Sequence, residues 1–129
     1  MTDTRTVVLI DLSSIYWAAW HASGNDEMST ARTATLSGID RCRNAAPADA
    51  LVAICCDSGR SFRKELLPEY KAQRPEKDHA AVAELQKVQD RLRTDGYLLW
   101  SAPTFEADDV IATATEQARK AGHAVMIAS

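Results

Sequence analysis

Val7-Val8-Leu9-Ile10 is apolar at every position, which predicts a strand over about Thr6 to Ile10 that is covered on both faces. Ser13 or Ser14 is placed to cap a short helix carrying Ile15 to Ala22, and Gly24-Asn25-Asp26 breaks it. Ser29 or Thr30 is placed to cap a second helix with Leu36 and Ile39 inward, ended by Ala45-Ala46-Pro47. A second apolar run, near Leu51 to Cys56, reads as a strand followed by a turn at Asp57-Ser58-Gly59. Beyond a polar stretch interrupted by Pro68 and Pro75, Asp78 precedes a longer amphipathic helix with Val82, Leu85, Val88 and Leu92 near one face. Asp95-Gly96 stops that helix, Tyr97 to Trp100 forms a third strand, and Pro103-Thr104 a turn. A last helix runs to about Ala121, with Gly122 after its end, and Ala124 to Ala128 is a fourth strand. Strands alternating with helices imply right-handed crossovers and a mainly parallel sheet. The predicted fold is a three-layer α/β arrangement with helices on both faces.

That periodicity places the acids. Asp11 follows the first strand, Asp57 the second, and Glu106, Asp108 and Asp109 open the last helix after the third. The carboxyl ends of parallel strands form the crevice in which open α/β folds bind ligands. Five carboxylates in one crevice repel each other unless a cation neutralises them, and hard divalent ions take oxygen ligands. The pattern therefore points to a Mg²⁺ or Mn²⁺ site of the kind that acts on phosphates. Each acid also has a plainer explanation. Acids in a first helical turn complement the helix dipole, and an aspartate after a strand often caps a turn. On ideal helix geometry Glu106 and Asp109 share a face and Asp108 does not, so the three can meet only if Glu106 precedes regular helix.

The 129 residues carry a formal net charge of −3 that hides a local reversal. Arg60 to Lys77 holds six basic residues against three acids, a local +3, which leaves −6 on the remainder. Such a segment suits a polyanion, and equally suits a salt-bridged, solvated surface. Tyr16, Trp17 and Trp20 have the spacing of core packing, or of a platform for an unpaired base; Phe62 and Tyr70 carry the same ambiguity. Three cysteines, Cys42, Cys55 and Cys56, lack metal-ligand spacing, and His21, His79 and His123 are scattered, which disfavours zinc. With no signal-like start and no run of membrane-spanning length, the chain reads as a soluble, cytoplasmic protein of one domain without a membrane partner.

The ordered motifs carry more information than the charges. They are Leu9-Ile10-Asp11 with Ser13-Ser14 and His21-Ala22, then Cys56-Asp57 with Ser61-Phe62-Arg63. They continue with Glu69-Tyr70-Lys71-Ala72-Gln73-Arg74-Pro75 and close with Glu106-Ala107-Asp108-Asp109-Val110-Ile111. In this order the chain resembles the 5′-nuclease superfamily: flap endonucleases and the 5′–3′ exonuclease domain of bacterial DNA polymerase I. The short stretch from Arg74 to Glu106 resembles the polymerase and phage branch.

The resemblance implies a divalent-metal-dependent enzyme hydrolysing phosphodiester bonds at 5′ flaps or 5′ ends of DNA, and at RNA primers, in replication and repair. A fused or associated DNA polymerase is an implied partner. It implies that Asp11, Asp57, Glu106, Asp108 and Asp109 hold Mg²⁺ or Mn²⁺, two or more ions in the intact protein. Lys71 and Arg74 would hold the scissile phosphate or the single-stranded 5′ end from a helical arch at about 60–95, and Arg63 would also contact nucleic acid. Leu12 stands where the family has glycine, and Ala18 where the polymerase type has an arginine that binds phosphate. Residues 1–129 are expected to be the N-terminal part of the catalytic domain, inactive alone, without the helix–hairpin–helix part. Asp57→Ala is expected to leave the core intact. A PIN-type ribonuclease and a non-catalytic DNA-binding fragment are the competing readings.

Overall fold

A computed structural model describes residues 4–23, 28–58, 66, 67, 69 and 79–129. In order these form β1 (Thr6–Asp11), α1 (Leu12–Ala22), α2 (Met28–Ala45), β2 (Leu51–Cys55), α3 (His79–Thr94), β3 (Leu98–Trp100), α4 (Ala107–Lys120) and β4 (Ala124–Ala128). The strands make a four-stranded parallel sheet in the order β3-β2-β1-β4, with β1 between β2 and β4. All three strand pairs are parallel, as the alternation of elements requires.

The continuous apolar run of β1 is buried on both sides. Val8 and Ile10 face a core completed by Leu12, Tyr16 and Trp20 of α1, Ala31 and Ile39 of α2, and Ala81, Val88 and Leu92 of α3. Val7 and Leu9 face the opposite layer, where Ala107 and Ile111 of α4 pack with Ala53 and Cys55. Three helices thus cover one face and α4 the other, giving the three predicted layers. Tyr16 and Trp20 are core residues, while Trp17 is half-buried, edge-on to Tyr16 with ring centroids 5.1 Å apart.

Four local readings need correction. The cap of α1 is Asp11, not Ser13 or Ser14: its extended backbone (φ −84°, ψ 96°) lets the carboxylate accept from the Ser14 amide, so the helix starts at Leu12. Likewise α2 has begun by Met28, which puts Ser29 and Thr30 inside its first turn. On α3 the inward face is Ala81, Glu84, Val88 and Leu92, with Leu85 partly buried, and Val82 is 44% exposed. Position 82 lies about 100° around the helix from 81, and a charged residue, Glu84, takes an inward place because Arg32 pairs with it. Strand β3 is shorter than expected, because the Tyr97 amide donates to the Leu92 carbonyl and ends α3 instead of entering the sheet.

Glycine stops two helices as expected. Gly96 (φ +90°) and Gly122 (φ +87°) adopt the left-handed conformation, and the amides of Gly96 and Tyr97, and of Gly122 and His123, bond back to carbonyls of the last turn. Both turns drop the chain straight into the next strand.

Candidate active site

Three segments reach the carboxyl edge of the sheet: the end of β1, the loop after β2 and the start of α4. Each is held there by backbone hydrogen bonds. The Cys56 amide donates to the Trp100 carbonyl and the Ser58 amide to the Phe105 carbonyl, so residues 56–58 run alongside 100–105. The Asp57 side chain crosses the same seam, its Oδ1 accepting from the Ala107 amide at 2.7 Å. That amide is one of the donors left over at a helix start, so a carboxylate there is favoured by both hydrogen bonding and the dipole.

The start of α4 is a local construction. Thr104 has φ +67°, and the Phe105 amide closes a turn onto the Ala102 carbonyl. Glu106 then takes an extended conformation (φ −84°, ψ 163°) as the helix cap, outside regular helix. The Asp109 Oδ2 reaches back to accept from the Glu106 amide at 3.1 Å. Asp108 and Asp109 diverge by the usual helical rotation. Asp109 borders a cavity of about 450 Å³ with Trp100, Phe105 and Thr113 on the β3 side. Asp108 borders one of about 720 Å³ with Ile111, Thr115 and Ile127 on the β4 side.

Asp11, half-buried at the end of the central strand, feels its neighbours. Burial raises its pKa above the ordinary value of 3.8, the Ser14 amide pulls the other way, and the charges of Asp108 and Asp57 add to the rise. The charges of Asp57 and Asp108 thus reach Asp11 across the crevice. The neighbouring thiols feel it too. Burial, then the Asp11 charge, pushes Cys55 up to about 11. Burial and the adjacent Cys55 are the leading causes that push Cys56 up to about 12.

The structure brings the predicted acids to one sheet edge, but several are engaged with backbone. Asp11 caps α1, Asp57 the first amide of α4, and Asp109 the Glu106 amide. Among the described residues no three His, Cys, Asp or Glu side chains stand together as a ready-made metal ligand set. Arg63, Lys71 and Arg74, with Phe62 and Tyr70, lie outside the described residues. Sequence reading missed Trp100 and Phe105 beside Asp109, and the polar links of Tyr16, Arg32 and Glu84.

The chain is similar in sequence and in fold to known proteins. The family described as 5′–3′ exonuclease, N-terminal resolvase-like domain, matches residues 6–129. The chain belongs to this family. Within the 5′–3′ exonuclease family, it is 29% identical to DNA polymerase I of Mycobacterium tuberculosis (strain ATCC 25618 / H37Rv) over 130 residues, covering 95% of this chain and 14% of the polymerase. It is 36% identical to the flap endonuclease Xni of Klebsiella pneumoniae (strain 342) over 73 residues, 57% of this chain and 29% of Xni. The chain thus spans less than a third of either relative. In fold it is similar to a bacteriophage T5 flap endonuclease solved in a pseudo-enzyme-product complex with DNA and metal ions. The TM-score is 0.56 at 23% identity, over 87% of this chain and 44% of that one. A T5 5′-exonuclease with bound zinc ions gives a TM-score of 0.53 at 24% identity, with the same coverage.

Proposed function

We propose that this chain is the acid-bearing part of a divalent-metal-dependent 5′–3′ exonuclease or flap endonuclease acting on DNA with 5′ flaps or free 5′ ends. The observation that carries the reading is the meeting of Asp11, Asp57 and the acidic start of α4 at one sheet edge, where burial, and to a lesser degree the charges of Asp108 and Asp57, raise the Asp11 pKa. Mutually repelling carboxylates on a rigid edge suit a hard cation in charge and in donor type. Mg²⁺ or Mn²⁺ would be held by Asp11, Asp57 and Asp108, with Glu106 and Asp109 beside them, and binding would have to gather these side chains. When bound, such ions activate water and offset charge on the phosphoryl oxygens.

The chain's own residues would then have distinct tasks. Asp57 keeps one oxygen on the α4 amide and would turn its other oxygen to a cation. Lys71 and Arg74 would hold the scissile phosphate or the 5′ end, within a helical arch at about 60–95. Positive groups placed against a phosphoryl group act where charge develops in the transition state. Replication and repair, RNA-primer removal, a joined polymerase and a cytoplasmic location follow from the same reading. The likeness to polymerase I supports the joined polymerase. Among the described residues no helix is long and apolar enough to cross a membrane.

The test is cleavage of a 5′-flap DNA by the full-length protein with Mg²⁺ or Mn²⁺, compared with the Asp57→Asn variant. Calorimetry should show saturable metal binding, and the ion should raise the melting temperature by mass action. Metal-independent cleavage, or cleavage untouched by Asp57→Asn, overturns the proposal. A preference for structured RNA over branched DNA would favour the PIN-type ribonuclease instead.

A further inference from the structure

Every backbone hydrogen-bonding group from the Phe105 amide to the Ala107 amide has a partner. The Phe105 amide donates to the Ala102 carbonyl, and the Phe105 carbonyl accepts from the Ser58 amide. The Glu106 carbonyl accepts from the Asp109 and Val110 amides, and the Ala107 amide donates to Asp57 Oδ1. That leaves the Glu106 amide, a donor for which the helix backbone has no acceptor. Asp109 Oδ2 takes it at 3.1 Å and completes the set. Two carboxylates therefore pin the peptide units on either side of the Glu106 Cα, Asp57 from the sheet and Asp109 from the helix.

The family resemblance groups Asp109 with the metal-holding acids, but its place on α4 sets it apart. Asp108 borders the cavity on the β4 side, whereas Asp109 borders the one on the β3 side, walled by Trp100, Phe105 and Val110. Strand β1, which ends in Asp11, is two strands from β3. Adjacent strands lie about 4.8 Å apart, so β3 runs roughly 10 Å from β1. An ion such as Mg²⁺ holds its oxygens at about 2.1 Å, so oxygens that share it lie within about 4 Å of one another. A carboxylate on the β3 side, tied to the Glu106 amide, is poorly placed to share an ion with Asp11. We propose that Asp109 is a positioning residue and not a metal ligand. It fixes the backbone that carries Glu106 and leads into Asp108, so that these acids need little ordering when the ion arrives. The proposal rests on the nuclease reading and deepens it by dividing the five acids between binding and support.

The experiment titrates Mn²⁺ into the full-length protein by calorimetry, with thermal melting in a chelator beside it. Asp109→Asn keeps an oxygen for the Glu106 amide but loses the charge, Asp109→Ala loses both, and Asp108→Asn is the reference for a lost ligand. Groups that orient a metal's ligands typically contribute roughly 10–100-fold in affinity, so Asp109→Ala should weaken Mn²⁺ binding at least about tenfold. Asp109→Asn should restore most of that affinity, and Asp108→Asn should bind weakly. Equal losses in Asp109→Asn and Asp109→Ala would make Asp109 a ligand and overturn the proposal. Unaltered affinity in Asp109→Ala, with only a lower melting temperature, would make it a plain helix cap and overturn it too. Either result leaves the nuclease reading standing. If Asp109→Ala is unfolded in chelator, Asp109→Asn is compared with Asp108→Asn: equal losses overturn the proposal, and a loss confined to Asp108→Asn upholds it. Absence of saturable Mn²⁺ binding by the unaltered protein overturns both readings together.

Discussion

Asp57 accepts a hydrogen bond from the Ala107 amide at 2.7 Å, so an acid of the candidate metal site is also a fastener between the loop after β2 and the start of α4. The two duties separate under substitution. Asp57→Asn keeps an acceptor oxygen and loses the charge, whereas Asp57→Ala strands the first amide of α4. The alanine variant should be less stable by about 1 kcal/mol, a melting shift of roughly 3–5 °C for a domain of this size. The asparagine variant should melt close to the parent. This revises the expectation that Asp57→Ala spares the core. Equal melting of the two variants would show that water replaces the carboxylate at no cost.

Thr104 is a β-branched residue at φ +67°, a region that L-residues enter at a cost of roughly 1–2 kcal/mol. The neighbouring Phe105–Ala102 turn holds it there and aims the chain into α4. Thr104→Gly should therefore stabilise the chain, by up to about 1 kcal/mol after the entropy of the freer unfolded chain is counted. Thermal melting checks this. A destabilised glycine variant would mean that the threonine side chain contributes more than the backbone strain removes.

The Asp11 pKa makes stability depend on pH in a definite direction. Its folded-state value lies above the ordinary 3.8, chiefly through burial. The favourable contribution is thus complete below 3.8 and is lost as pH rises through the folded value. Asp11→Asn retains an oxygen for the Ser14 amide but cannot ionise. In a chelator, this variant should match the parent at pH below 3.8 and become relatively more stable as pH rises toward neutrality. A stability difference constant from acid to neutral pH would contradict a raised Asp11. Added Mn²⁺ should reverse the order at neutral pH, because the parent alone keeps the charge.

Lys71→Ala and Arg74→Ala should slow 5′-flap cleavage by the full-length protein while metal binding stays near the parent's. Each removes a positive donor and no metal ligand, and the loss of one transition-state donor costs ~10²-fold or more in rate. Single-turnover rates at saturating metal provide the measurement. Rates equal to the parent's in both variants would reduce Arg60 to Lys77 to a solvated, salt-bridged surface.

The elements of this protein were largely legible in its sequence because they rest on local rules. An apolar run with no alternation must be covered on both sides, and Val7 to Ile10 is. Gly96 and Gly122 end helices because a single residue's left-handed conformation suffices. The acids at strand ends were readable for the same reason, since parallel strands share one carboxyl edge.

What the side chains do there depended on partners far away in the chain. Three-dimensional proximity alone pairs Asp57 with Ala107, Arg32 with Glu84 and Tyr16 with Ala81. The left-handed turn at Thr104 puts Glu106 outside regular helix, and the charge of Asp108 then reaches Asp11 across the crevice. The strand order, with β4 beside β1, likewise comes from how α4 packs on the sheet. Patterning determined which residues go inside and which acids reach the edge, because burial and helix ends are set over a few neighbouring residues. Tertiary structure decided which acid faces which, because hydrogen bonds and Coulomb interactions act across short distances that only the folded chain creates.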